Sequence, residues 1–493
     1  MAMNDLKERA VRGGLAKICS QVANFVLRTV SLMVLARLIG PKDFGLVGMV
    51  TAVIGVLSLF KDFGLSTATI QRASITDEQI STLFWVNMLV GMILTIVSVA
   101  VAPAVAAFYH EPRLFMLTAV LALGFLLNAA GVQHSAVLQR QMRFTALAVI
   151  DIISLVISTA AGIGIAIRGY GYWSLVAIAL LGPLVTTVGV WVTAAWVPGM
   201  PRQRVGLRPM MRFGGTVTLN GLVVYVAYNL EKVLLGRFWG AEALGFYGRA
   251  YQLTNIPTDN LNSAVGVVAF SALSRLQSEP ERLKSYFLKG YSLVLGLTLP
   301  ITILCALFAN DAIFVLLGPK WKESAPILRL LAPTILAFAM INPFGWLLYA
   351  LGRVGRSLKI ALVIAPLVIT GYLIGLPHGA KGIALGYSAA LALWVVPHIV
   401  WCIQDTAISF RDVLQTLSRP LLSGIAAAAP ALAIQIVFGH LLSPLSRLIM
   451  GSTVFVSVYL GVLFYVMGQK AFYLNLLGGL RRSSVGEKAL VSA

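Results

Sequence analysis

Two stretches of this sequence decide the fold. The first is Leu35-Ala36-Arg37-Leu38-Ile39-Gly40-Pro41-Lys42-Asp43-Phe44-Gly45-Leu46-Val47-Gly48. Two hundred positions later comes Leu235-Gly236-Arg237-Phe238-Trp239-Gly240-Ala241-Glu242-Ala243-Leu244-Gly245-Phe246-Tyr247-Gly248. A leucine, an arginine and three glycines recur in register. Each stretch closes one apolar run and opens the next. Gly40 and Gly240 can take the positive φ that follows a helix end. Gly45 with Gly48, and Gly245 with Gly248, lie at i, i+3 on one helix face. Small residues there let helix backbones approach closely. Helix packing and direct substrate contact are both open readings of these glycines.

Working outward, apolar runs fall near 18–39, 44–60, 80–108, 114–134, 145–167, 173–196, 211–235, 246–272, 286–308, 325–350, 358–376, 382–403, 419–440 and 445–468. Each is long enough for a membrane-spanning helix, which needs about 20 apolar residues. The two copies of the repeat sit at spans 1–2 and 7–8. Six spans separate them, so both run the same way through the bilayer, as in a parallel duplication about an axis along the membrane normal. The expected fold is an all-α polytopic membrane protein with about 14 transmembrane helices. Two six-helix lobes, 1–205 and 206–405, are related by a pseudo-twofold duplication. A C-terminal helix pair and cytoplasmic tail follow at 406–493.

Composition agrees. Of 493 residues 58% are hydrophobic and only 11% charged, against roughly 25% charged in a soluble domain. Mean hydropathy is +0.87. The runs are apolar throughout and do not alternate, which disfavours an outer-membrane barrel. Fourteen spans leave only short loops, with no space for a soluble nucleotide-binding or catalytic domain.

The net charge is +20. In a soluble protein that would suggest nucleic acid. In a membrane protein, basic residues hold loops in the cytoplasm, and no nucleic-acid partner is expected. Placing the N-terminus inside puts 25 Lys+Arg in cytoplasmic segments against 10 in the alternate set. Both termini are therefore expected in the cytoplasm, with the chain in a bacterial inner membrane. Cys19, Cys305 and Cys402 are scattered and read as small core residues. The N-terminus shows no cleavable signal peptide pattern.

No catalytic constellation is visible, and neither enzyme activity, nor a cofactor, nor a metal site is expected. The five histidines are dispersed, and no Walker loop, GxSxG or HExxH occurs. Charges within spans cost about 2.5–3.5 kcal/mol each on insertion scales and invite a functional reading. Arg28 sits mid-span in the first run and is read as a cavity-facing cation. Arg37 and Arg237 stand near the ends of spans 1 and 7, as snorkelling anchors or as substrate contacts. Glu231 and Lys232 are adjacent in span 7 and point about 100° apart, so one of them is expected to face a central cavity. Tyr225 and Tyr228 lie deep enough to stack on a sugar. Trp239 is read as part of the interfacial aromatic belt. Such cations would attract a phosphate or an acidic sugar.

Further motifs complete the pattern. They are Val34-Leu35-Ala36-Arg37-Leu38, Asp62-Phe63-Gly64-Leu65 with Ile70-Gln71-Arg72, Thr82-Leu83-Phe84-Trp85-Val86-Asn87, Gln139-Arg140-Gln141-Met142-Arg143-Phe144, Phe246-Tyr247 with Arg249-Ala250-Tyr251, and Gly318-Pro319-Lys320-Trp321. In this order and spacing the chain resembles the polysaccharide (O-antigen and exopolysaccharide repeat-unit) flippases of the Wzx type. These belong to the multidrug/oligosaccharidyl-lipid/polysaccharide transporter superfamily. The resemblance is closest to the colanic-acid and succinoglycan exporters and covers roughly residues 10–350. It implies flipping of an undecaprenyl-pyrophosphate-linked oligosaccharide from the cytoplasmic to the periplasmic leaflet by alternating access. The implied partners are that lipid-linked substrate, membrane lipid, and the polysaccharide polymerase and export machinery. Pyrophosphate contact would fall to Arg28, Arg37, Arg237 and Lys232. Glu231 and Asp62 are the coupling candidates. Two other readings share some features: a multidrug/cation antiporter of the same fold, and a membrane polysaccharide polymerase or ligase.

Overall fold

The computed structural model describes residues 23–61, 66, 69–70, 75–201, 222, 225–439, 441–471 and 473, and among these there is no β-strand. Helices follow one another in chain order. They are α1 (23–38), α2 (Pro41–Ser58), α3 (Asp77–Tyr109), α4 (Arg113–Arg140), α5 (Phe144–Ile167) and α6 (Trp173–Ala194). A helix spanning Leu230–Arg275 is broken at Gly240, where φ is 81°. Its two arms are α7 (230–239) and α8 (241–275). Then come α9 (Pro280–Leu307), α10 (Ser324–Ala350), α11 (Val354–Gly375), α12 (Gly379–Ile403), α13 (Phe410–Val437) and α14 (Pro444–Gly461), with a short helix Ala309–Leu316 after α9.

Local chemistry explains the boundaries. α3 opens on a capping box: the Thr76 hydroxyl accepts from the Gln79 N–H while the Gln79 side chain accepts from the Thr76 N–H. This satisfies two donors that a helix start otherwise leaves bare. Ser409 and Asp412 build the same box at the start of α13. Pro41 opens α2, where its missing N–H costs nothing. At Gly240 the positive φ would strain any residue with a Cβ, as expected of a glycine after a helix end, whereas its counterpart Gly40 has φ −81° and caps α2 in an extended conformation.

Ten stretches among the described residues are long and apolar enough to cross a membrane, one of them the continuous run Gly355–Ile403 that carries both α11 and α12. Large apolar side chains stand outward on these helices, for example Leu89, Ile96, Met116, Leu393 and Ile436. A soluble surface rarely carries so continuous an apolar patch, whereas hydrocarbon accepts it.

The chain forms two compact units. The first comprises the described residues of Met1–Gly248, with Leu316–Trp321 and Ala365–Ile383. In it α3 and α4 clasp the segment after α6. His134 stacks on Trp191 at 4.2 Å between ring centres, Phe84 meets both edge-on, and the Trp85 indole donates to the Gly199 carbonyl at 2.9 Å. The second unit comprises Arg249–Val315, Lys322–Ile364 and the described residues of Ala384–Ala493. Its core joins Leu299 and Phe308 to Ala427 and Ala431 of α13 and to Phe455 and Tyr459 of α14. Asp311, 1% exposed, receives the Arg447 guanidinium, whose Nε lies 2.9 Å from a carboxylate oxygen. Arg447 also donates to the Gly439 carbonyl. A buried carboxylate would be costly alone, and this pairing fastens α14 to the short helix after α9.

Candidate functional site

The sequence-selected residues on α7 lie in the first unit, where α7 packs against α2 and the end of α3. The contact rests on glycines. A Cβ on Gly55 would collide with the Tyr225 ring and hydroxyl. Tyr225 instead lies flush on α2 and donates to the Thr51 and Ala52 carbonyls, each at 3.3 Å. About three turns of chain after Tyr225, Gly236 occupies a similar slot, where a Cβ would stand 2.7 Å from Tyr109 and 3.0 Å from Met49.

Beyond Gly236 the two copies of the repeat meet. A Cβ on Gly45 would overlap the Ala241 carbonyl, and a Cβ on Gly245 would overlap the Pro41 carbonyl. The contact is reciprocal: position 45 meets 241, and 245 meets 41. Real Cβ atoms do not fit there, so glycine is required by space and not by backbone conformation.

The two arginines follow the same reciprocity. Arg237 donates to His110 Nδ1 at 2.8 Å and lies over the Phe108 ring, 5.6 Å from its centre. His110 ends α3. The Arg37 stem lies against Gly318, in the turn that follows the short helix, and its carbonyl accepts from Lys320 at 3.4 Å. Each arginine therefore reaches the connection after the third long helix of the other repeat: residues 110–112 for Arg237 and 316–321 for Arg37. The two side chains go to different partners and are not brought together. Beside His110, the Arg113 guanidinium hydrogen-bonds Glu111 at 2.8 Å and holds that carboxyl below its ordinary value.

Trp321 closes this end. It is wholly buried, donates from its indole to the Ala36 carbonyl at 2.7 Å, and lies edge-on to Phe44 at 5.3 Å and to Phe246 at 6.1 Å. It thus joins α1, α2 and the start of α8.

Glu231 is 0% exposed, and neither carboxyl oxygen has a hydrogen bond of ordinary geometry among the described residues. The Tyr372 hydroxyl of α11 and the Tyr225 hydroxyl are the side-chain hydroxyls near enough to act on it. Its neighbour Lys232 turns away and donates to Asn229 Oδ1 at 2.6 Å. Of the adjacent pair, the carboxyl faces inward. Tyr228 is half-buried on the same stretch. Arg28 of α1 is exposed and close enough for its charge to act on Asp151 of α5. Asp62 lies outside the described residues. The Trp239 indole donates to the Leu376 carbonyl at 2.8 Å, so its polar edge is held by protein.

Sequence reasoning missed Phe108, His110 and Tyr372. The helix stop at Tyr109-His110-Glu111-Pro112 could have marked His110 as standing level with Arg237. A cleft of about 290 Å³ also opens in this unit, lined by Lys61, Asn128, Val132, Ser135, Pro183 and Thr187 among others. No group of three metal-ligating side chains occurs among the described residues.

Comparison with known proteins places the chain. The family model described as polysaccharide biosynthesis protein matches residues 34–326. The lipopolysaccharide biosynthesis protein WzxC of Escherichia coli (strain K12) is 28% identical over 392 residues, 78% of this chain and 78% of its own length. The succinoglycan biosynthesis transport protein ExoT of Rhizobium meliloti (strain 1021) is 24% identical over 340 residues, 69% of this chain and 68% of its own length. The lipid II flippase MurJ, in an inward closed conformation, superposes with a TM-score of 0.74 at 13% identity, over 95% of this chain and 100% of that one. An inward-facing multidrug resistance MATE family transporter of the MOP superfamily gives 0.62 at 14% identity, over 76% and 93%. At these identities the two structures speak for the fold alone, which is the all-helical membrane fold that the repeat and the apolar runs foretold. The family match covers more than half of the sequence, and this bacterial membrane chain belongs to the polysaccharide biosynthesis protein family.

Proposed function

We propose that the protein flips an undecaprenyl-pyrophosphate-linked oligosaccharide from the cytoplasmic to the periplasmic leaflet of the inner membrane, by alternating access, for polysaccharide export. The observation that carries this reading is the reciprocal, glycine-tight meeting of the two repeat copies at one end of the molecule. A contact held by backbone apposition and a few side chains can close and part as a unit. With both termini in the cytoplasm, this is the periplasmic end, and it is shut. Head-group loading then takes place from the cytoplasmic side. Arg28 and Lys232 attract the pyrophosphate, and Tyr225 and Tyr228 offer faces to the sugars. Arg37 and Arg237 latch the shut end and become available to the pyrophosphate once it opens. Glu231, wholly buried, is the group whose protonation or cation binding couples the cycle, with Asp62 as the second candidate. The two lobes are 1–205 and 206–405, and the polymerase and export machinery act on the released unit.

The test is made in the intact cell. The gene is deleted, and surface polysaccharide is measured together with the lipid-linked oligosaccharide in each leaflet. Loss of polymer with a completed unit accumulating on the inner leaflet supports flipping. A unit found on the outer leaflet but unpolymerised would place the protein after flipping. No change in either pool would favour a multidrug/cation antiporter.

A further inference from the structure

At one end of the second unit lies a cleft of about 300 Å³, at the lower end of the range for small-molecule sites, roughly 300–1,000 Å³. It sits beside the first turns of α9 and α13 and just beyond the last turn of α14, all candidate spans. That is the level at which a spanning helix meets lipid head groups. Its cations are Lys289 and Arg419, which make no ion pair or side-chain hydrogen bond among the described residues. Its one carboxylate, Asp412, is already engaged: Lys284 Nζ lies 2.7 Å from it, and the Ser409 N–H and hydroxyl donate to it at 2.8 and 2.7 Å. Its charge is therefore cancelled locally while the two cations stay open. Ser285 adds a hydroxyl to the wall, while the Thr416 hydroxyl donates to the Asp412 carbonyl at 2.8 Å.

Gln469 adds an open donor. The residue is 7% exposed and lines the cleft, and its amide makes no side-chain hydrogen bond among the described residues. Its N–H groups are available to an acceptor bound in the cleft. Two cations, an amide donor and a hydroxyl lining one concave space suit a tetrahedral oxyanion.

We propose that this cleft binds a phosphate group, carried either on an anionic phospholipid head group or as free phosphate. The site is independent of the flipping cycle proposed above. Full-length protein in a neutral detergent is titrated with phosphatidylglycerol or phosphatidylcholine and followed by native mass spectrometry. Inorganic phosphate is measured in parallel by equilibrium dialysis. Phosphatidylglycerol should be retained over phosphatidylcholine, and the double variant Lys289→Gln/Arg419→Gln should weaken it about tenfold or more. Lys289→Arg should retain binding. The matched variant Arg275→Gln/Lys359→Gln removes two exposed cations elsewhere and should bind as the wild type does. Inorganic phosphate bound with the same variant dependence assigns the site to free phosphate. Retention of the lipid alone assigns it to the head group. Binding of neither probe, or equal loss in the two double variants, overturns the proposal. Monodispersity on size exclusion confirms that each variant is folded.

Discussion

Gly45 and Gly245 each press against the backbone of the other's repeat, Gly45 on Ala241 and Gly245 on Pro41. Either position with a methyl group must push its partner helix away. Overpacking of this kind costs about 1–3 kcal/mol, enough to move a closed–open balance by about fivefold to a hundredfold. Gly45→Ala and Gly245→Ala should therefore both reduce export and raise the labelling of a cysteine placed at Ala241. Gly248→Ala is the control, because its Cβ meets nothing within 4 Å. Equal export by all three variants would refute the steric argument.

Arg37 and Arg237 should be equivalent in function as they are in place. Arg37→Ala and Arg237→Ala are each expected to abolish export while the protein still inserts and purifies as a monodisperse species. Arg237→Lys keeps the charge but loses the planar guanidinium over Phe108, and should recover only part of the activity. Export by both alanine variants at the wild-type level would remove these residues from the mechanism.

Trp321 holds three helices through one indole. Trp321→Phe keeps most of the apolar contact but leaves the Ala36 carbonyl without its donor, a loss of about 1–3 kcal/mol. Trp321→Ala adds a cavity and should cost about 3–5 kcal/mol. Thermal unfolding in detergent should rank them wild type, then Phe, then Ala. The opposite order for Phe and Ala would mean that the pocket collapses around the smaller residue.

Glu231 is predicted to be indispensable as an acid. Glu231→Gln has the same shape and cannot carry charge, so export should fall and lose its dependence on an imposed gradient. A proteoliposome assay with and without a pH or cation gradient reads this directly. Gradient-driven flipping that survives Glu231→Gln would shift the coupling role to Asp62 or elsewhere.

Glu111 gives a pH signature. Its folded value is lowered from 4.5, chiefly by the hydrogen bond from Arg113. Its contribution is therefore complete above the unfolded value and fades as pH falls through the lower folded one. The stability difference between wild type and Glu111→Gln should be present at neutral pH and disappear at a pH below the lowered folded value. A difference that persists at that pH would mean the residue acts through packing.

Much of this was legible because apolar runs and in-register glycines are local properties. The run lengths foretold α3 to α6 and α9 to α14. The repeat at 35–48 and 235–248 singled out those two segments as a pair, without showing that they touch. The glycines and charges that blur α1, α2, α7 and α8 as spans are the residues that make the crossing possible. What stayed hidden were partners from distant segments: His110 for Arg237, Tyr372 for Glu231 and Gly318 for Arg37. No spacing rule links residues that far apart. The choice between Glu231 and Lys232 also needed three dimensions, since adjacency said only that their directions differ.

The reciprocal contact has a bearing on ancestry. Were the two repeats separate chains, 45 on 241 and 245 on 41 would be one interaction written twice, the self-complementary patch of a symmetric dimer. A half-length forebear could have made it with its own copy. Drift in the present chain is then constrained in pairs of sites about two hundred residues apart, and a chimera that exchanges one half with a relative must carry glycine at both 45 and 245 to close.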